Sequence, residues 1–304
     1  MKKSEEKYLK MNHFLDFPEL ISHISPRMKK NLIFATSANE KINITTYFNE
    51  SVFNGNSIIF VHGFKGFKDW GFGPYLADYF ARQGFFSITF NFSHNGIDGN
   101  STEFTELHKF SQNTFSLEIK ELNELISAFR ENFFDIGTKG KLGLIGHSRG
   151  GAISLLTAYK RNDVNAVALW ASISRLDRYS KRQKEEWRKH GVFEVLNTRT
   201  KQVMKLNVSL LEDIETNSND SLNIEKAVKN LCKPLLIAHG NQDLAVKIEE
   251  AEELYSWSDK SKTEFYKIFG TGHTFDVSHP FNGTNEKFEK LLNKTSNFFS
   301  NNFN

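Results

Sequence analysis

An α/β fold with a mostly parallel, doubly wound sheet flanked by helices is predicted by three observations. From residue 57 onward, short β-branched or apolar runs alternate with helical stripes. A glycine-flanked serine, Gly146-His147-Ser148-Arg149-Gly150, falls where one such run hands over to a helix. With 304 residues, of which 39% are hydrophobic and 25% charged, the chain can bury the core that such a sheet needs.

Taken in order, the segment up to about Ser37 has no clear period, and Ile42 to Tyr47 alternates like a half-buried strand. Asn54-Gly55-Asn56 is a turn signal leading into Ser57 to Val61, a run of the kind found in buried parallel strands. Tyr75 to Gln83 reads as a helix closed by Gly84, and Phe85 to Phe90 as the next strand. Phe115, Ile119, Leu122, Leu125, Ile126 and Phe129 form a helical stripe. Lys141 to Gly146 is expected to be a strand, Ala152 to Tyr159 a helix and Val164 to Ala171 a strand. Leu235 to His239 and Thr263 to Phe269 are the last two strands, and a helix from about Asn285 to Phe298 closes the chain.

One stretch breaks this rhythm. Ser172 to Lys233 is far longer than a crossover connection of about 10–12 residues. It holds a helical segment, Lys181 to Lys189, and a hairpin pattern, Val192 to Leu206, turning near Asn197 to Thr200. A single domain over residues 1–304 is therefore expected, with residues 172–233 inserted as a lid over the active face. Trp187, Phe193 and Met204 in the insert are candidates for the roof of an apolar pocket. The same residues could instead bind the lid to the body or to a second subunit, which leaves a homodimer open.

Composition excludes several function classes. The formal net charge is +3, with basic and acidic residues interspersed, so no nucleic-acid face is expected. The run Lys181 to His190 is broken by Glu185 and Glu186 and reads as a solvated helix face. A single cysteine, Cys232, allows no intrachain disulfide. Met1 to Lys10 is charged and lacks the apolar core of a secretory signal, and no stretch reaches the roughly 20 apolar residues of a membrane span. A cytoplasmic location is expected. No His/Cys/Asp cluster has zinc spacing, and no glycine-rich dinucleotide or phosphate loop is present, so neither metal nor organic cofactor is expected.

The chemistry centres on Ser148. A sharp strand-to-helix turn exposes a serine hydroxyl at the carboxyl end of a sheet and sets a helix N-terminus beneath it. A serine hydroxyl needs a base. His273, in the loop after the last strand, returns to the same edge of the sheet, whereas His279 lies six residues further, next to Pro280. The base needs a carboxylate to hold its tautomer. Asp243, just past the strand ending at His239, supplies it in the chain order Ser, Asp, His. Asp177 is the rival acid, and a helix N-cap is the alternative role for Asp243. The backbone N–H groups of Arg149 and of Phe64, in His62-Gly63-Phe64, are placed to bind an oxyanion. His62 reads as a loop-ordering histidine.

His62-Gly63-Phe64, Gly146-His147-Ser148-x-Gly150-Gly151 and Phe90-Asn-Phe-Ser-His94 followed by Gly96 and Gly99 resemble the α/β-hydrolase superfamily over about Ser57 to Phe299. Within it they resemble the bacterial feruloyl (cinnamoyl) esterases and related carboxylesterases. Arg149 departs from that pattern, standing where many such esterases carry Gln. The resemblance implies a serine esterase working through an acyl-enzyme on a small-molecule ester of a short or aromatic acid. Thioesterase, peptidase or amidase and acyltransferase chemistry use the same triad, and a non-catalytic binding protein can be built on the same fold.

Overall fold

The computed structural model describes residues 28–99, 102–137 and 140–303; Met1 to Lys10 lies outside them. Strands β1 (Met28–Ala35) and β2 (Lys41–Phe48) form an antiparallel pair, with Met28 opposite Phe48 and Ala35 opposite Lys41. β2 runs antiparallel to β4 (Phe86–Phe90), which lies parallel to β3 (Ser57–Val61). β3 then pairs in parallel with β5 (Leu142–His147), β5 with β6 (Ala166–Trp170), β6 with β9 (Leu235–Gly240), and β9 with β10 (Thr263–Ile268). The eight-stranded order is β1-β2-β4-β3-β5-β6-β9-β10.

Period-two alternation explains how the sheet is covered on both faces. Ile58 and Phe60 of β3 point into one apolar layer and Ile59 and Val61 into the other. Helices α1 (Gly73–Arg82) and α9 (Glu286–Asn302) close the first layer with Phe72, Phe80, Phe288, Phe298 and Phe299. The opposite layer is closed by α3 (Phe115–Arg130), α4 (Arg149–Ala158) and α8 (Ile248–Trp257). Much of the chain's phenylalanine is spent on these two layers.

The expected strands and helices all form, with ends shifted by a few residues. β1 had no expectation, because it is an edge strand exposed along most of its length and needs no apolar period. The short helices α2 (Leu107–Gln112), α6 (Val208–Asn217) and α7 (Ile224–Lys229) were also unassigned. α4 has no polar face, since every one of its residues is buried.

The insert after β6 consists of α5 (Lys181–His190), the hairpin β7 (Val192–Leu196) and β8 (Val203–Asn207), then α6 and α7. The hairpin is a two-stranded sheet separate from the main one. A capping box at Ser180 and Gln183 starts α5, and left-handed Gly191 ends it. Trp187 and Met204 are fully buried, and Phe193 is half-buried. Trp187 donates its indole N–H to the Leu206 carbonyl at 2.9 Å and packs against Phe193 and Tyr179. Trp187 and Met204 thus join the insert to the apolar layer that α3, α4 and α8 close, and Phe193 packs against the same layer. No helix among the described residues is long and apolar enough to cross a membrane.

Candidate active site

β5 ends at His147, α4 starts at Arg149, and Ser148 makes the whole turn between them with φ 58° and ψ −121°. A non-glycine residue in that region costs of order 1–3 kcal/mol, which surrounding structure must over-determine. Here the Ser148 N–H donates to the Trp170 carbonyl at 2.9 Å, tying the turn to β6. Glycine on either side permits the turn. A Cβ on Gly146 would lie 2.3 Å from the Gly150 carbonyl oxygen, and one on Gly150 would lie 2.2 Å from that of Val61. The turn leaves Ser148 at the N-terminus of α4, where unpaired N–H groups and the helix dipole favour negative charge.

Ser148 and His273 line one cavity of about 340 Å³, together with His62, Phe64, Phe67 and Trp70. The His273 ring is held from behind, its Nδ1 donating to Asp243 Oδ2 at 2.7 Å. Asp243 is buried just past β9, and its Oδ1 accepts the N–H groups of Ala245 and Val246, each at 2.9 Å. Burial alone would raise the pKa of this carboxyl, but hydrogen bonds from His239 and His273 outweigh it and hold it well below the usual carboxylate range. Asp243 thus bonds the His273 ring with one oxygen and the turn that precedes α8 with the other.

The rivals lie elsewhere. Asp177 is bound to Lys184 of α5. His279 accepts the Gly71 N–H at 2.9 Å and stacks on Trp70.

Phe64 reaches the cavity from the loop after β3, and Gly63 packs so closely there that a Cβ would sit 3.0 Å from Ser148 Cβ. The buried Arg149 side chain is sandwiched between the Phe64 and Phe115 rings, 4.3 and 4.5 Å from their centroids, and lies 3.5 Å from Glu118. Arg149 therefore anchors the Phe64 ring through its side chain.

Several cavity residues, Phe67 and Trp70 among them, follow from no expectation of the sequence. Asn197, Thr198 and Arg199, at the tip of the β7–β8 hairpin, are what the insert contributes, in place of Trp187, Phe193 and Met204. The turn signal at Asn197 to Thr200 located the tip without revealing that it reaches Ser148. His147 was also missed. It donates from Nε2 to the His273 carbonyl at 2.9 Å, fixing the backbone of that loop. Among the described residues no cluster of three or more His, Cys, Asp or Glu could hold a metal ion.

Burial sets the protonation of several groups around the site. It pushes His147 down to about 3 and His62 down to about 4, so both are neutral near pH 7. His62 donates from Nδ1 to the Gly63 carbonyl at 3.0 Å and takes the Phe92 N–H on Nε2, ordering the loop as expected. Glu121 of α3, bonded to Ser93 in the loop after β4, is pushed up by burial to about 7. The signs oppose. Below about pH 6.5 the unfolded chain protonates histidines that the folded one keeps neutral, which lowers stability. Between about pH 7 and 4.5 the folded chain protonates Glu121 while the unfolded one does not, which raises it. Urea unfolding at pH 7 and pH 5 should therefore show Glu121→Gln losing about 2 kcal/mol more than wild type over that interval. Equal losses would mean that Glu121 carries no excess proton when folded.

A parallel sheet wound on both faces, with a serine turn, a histidine loop and a carboxylate loop at the carboxyl ends of β5, β10 and β9, defines a class. The chain has the α/β-hydrolase fold. A family model described as the alpha/beta hydrolase fold matches residues 56–204. No curated protein sequence matches the chain.

Among solved structures, Est1E of Butyrivibrio proteoclasticus with ferulic acid bound superposes with a TM-score of 0.66 at 16% identity. The match covers 89% of this chain and 98% of that one. The Pyrococcus furiosus esterase Pf2001 gives 0.61 at 17% identity, over 91% and 92% of the two chains. The esterase domain of a Rhodothermus marinus protein gives 0.61 at 18% identity, over 91% and 100%.

Proposed function

We propose that the protein is a serine esterase that hydrolyses carboxylic esters of short or aromatic acids through an acyl-enzyme. The observation that carries this reading is the strained Ser148 turn opening on the same cavity as His273, whose ring is bonded to Asp243. In this mechanism His273 takes the proton of Ser148 as its oxygen attacks the ester carbonyl. The tetrahedral oxyanion rests on the backbone N–H groups of Phe64 and Arg149, each such donor contributing about 2.7–4 kcal/mol to the transition state. His273 then protonates the departing alcohol, and water repeats the sequence on the acyl-enzyme to release the acid. No metal or organic cofactor takes part in these steps.

The insert hairpin acts as the roof of the acyl pocket, with Asn197 to Arg199 at its edge. Phe64, Phe67 and Trp70 offer aromatic walls, and a cavity of about 340 Å³ suits a short or single-ring acyl group better than a long chain. The esterase neighbours by fold agree with this reading.

The test is hydrolysis of p-nitrophenyl acetate, butyrate, cinnamate and palmitate. The butyrate and cinnamate esters should be turned over with a kcat/KM well above that of the palmitate. A folded protein that hydrolyses none of the four would overturn the esterase reading.

A further inference from the structure

The cavity at Ser148 is unbalanced in charge. Two cationic side chains, Lys65 and Arg199, line it, and none of its lining residues is Asp or Glu. Lys65 follows Phe64 in the loop after β3. Its Nζ donates to the Leu196 carbonyl at 3.2 Å and lies 5.4 Å from the Phe64 ring centroid. No carboxylate of the described residues lies within 4.0 Å of it. An ammonium has three donors, and one backbone carbonyl uses a single one. Burial lowers the pKa of this amine, as happens when a cation loses water without gaining a counter-ion.

Arg199 sits at the hairpin tip with its guanidinium 5.9 Å from the ring centroids of Phe67 and Phe104. It donates to the Thr102 carbonyl at 3.3 Å and lies 4.0 Å from Glu103, whose side chain is 64% exposed. Of its five donors most remain for another acceptor. The bond from Lys65 to Leu196 ties the Phe64 loop to the base of the turn that carries Arg199, so the two cations belong to one rim.

We propose that the ester accepted by this site carries an anionic group, a carboxylate or similar oxyanion, recognised by Lys65 and Arg199, with an apolar or aromatic body between that group and the scissile bond. The body rests on Phe64, Phe67 and Trp70, which share the cavity with both cations. The inference builds on the esterase reading of Ser148, and it gives the insert a definite task, supplying half of the charge that selects the substrate.

Two matched pairs of esters test it. Mono-benzyl glutarate and benzyl methyl glutarate differ by a charge on the acyl side; 3-acetoxybenzoate and its methyl ester differ by one on the alcohol side. In at least one pair the anionic member should be preferred in kcat/KM by about tenfold, the scale of one charge-assisted hydrogen bond. That preference should shrink at high salt and vanish in the Lys65→Gln Arg199→Gln double variant. A preference in neither pair, or one that survives the double variant, would overturn the proposal.

The same four esters titrated into the Ser148→Ala protein, followed by the rise in unfolding temperature, read binding without turnover. Tighter binding of an anionic ester with no hydrolysis by wild type would retain the anion site and remove the esterase reading. Equal binding within both pairs would remove the anion site whatever the hydrolysis shows.

Discussion

Ser148→Ala is expected to lower kcat for ester hydrolysis by about 10⁶-fold, the scale seen when the nucleophile of a serine triad is removed. What remains would come from binding and from N–H donors that the substitution leaves in place. The fold should be unaffected, because alanine is no more strained than serine at a φ of 58°. Ser148→Gly separates the two effects. It should be equally inactive yet more stable than Ser148→Ala, since glycine enters that region of backbone space freely and releases strain of order 1–3 kcal/mol. Thermal unfolding of the two variants beside the wild type reads the strain, and p-nitrophenyl butyrate reads the chemistry. Activity retained in both variants would remove Ser148 from the mechanism.

Asp243→Asn should cost about 10⁴-fold in kcat, for a reason visible in its hydrogen bonds. Oδ1 accepts two backbone N–H groups, from Ala245 and Val246, and only an oxygen can do so. An asparagine must therefore keep its carbonyl there and turn its NH₂ toward His273 Nδ1. That ring nitrogen, now facing a donor, becomes an acceptor, and the proton moves to Nε2. A histidine protonated on the nitrogen meant to receive the serine proton cannot act as a base. The variant should fold, because both backbone N–H groups keep their acceptor. A loss smaller than tenfold would show that another carboxylate orients the base. Asp177 is a poor substitute, since it is held by Lys184 on α5.

Much of this site can be read along the chain because its constraints are local. The turn at Ser148 needs small residues within two positions on either side, and Gly146 and Gly150 supply them in a pattern that survives without any tertiary context. Asp243 and His273 are legible for a related reason. In a parallel sheet every strand ends on the same edge, so a polar residue just past β9 and another past β10 are brought together by strand direction alone. The strands themselves show as continuous apolar runs because β3, β5, β6 and β9 are buried on both faces.

The insert shows where such reasoning stops. Trp187, Phe193 and Met204 are large and apolar, and nothing in their spacing tells whether they face a substrate or each other. In the folded chain Trp187 packs on Phe193 and bonds Leu206, Met204 is buried in the same apolar layer of the body, and the polar tip Asn197 to Arg199 lines the cavity at Ser148 instead. His147 is a similar case, since its bond to the His273 carbonyl joins residues 126 positions apart.

By itself the sequence determined the sheet, its direction and the identity of the residues at its carboxyl edge, because each follows from burial periodicity or from steric limits within a few residues. Only the tertiary structure decided which surface of the insert meets Ser148 and that two cations stand there without a carboxylate among the cavity's lining residues, because hairpin docking depends on contacts between segments more than 100 residues apart, as Lys65 and Leu196 are, separated by 131 positions.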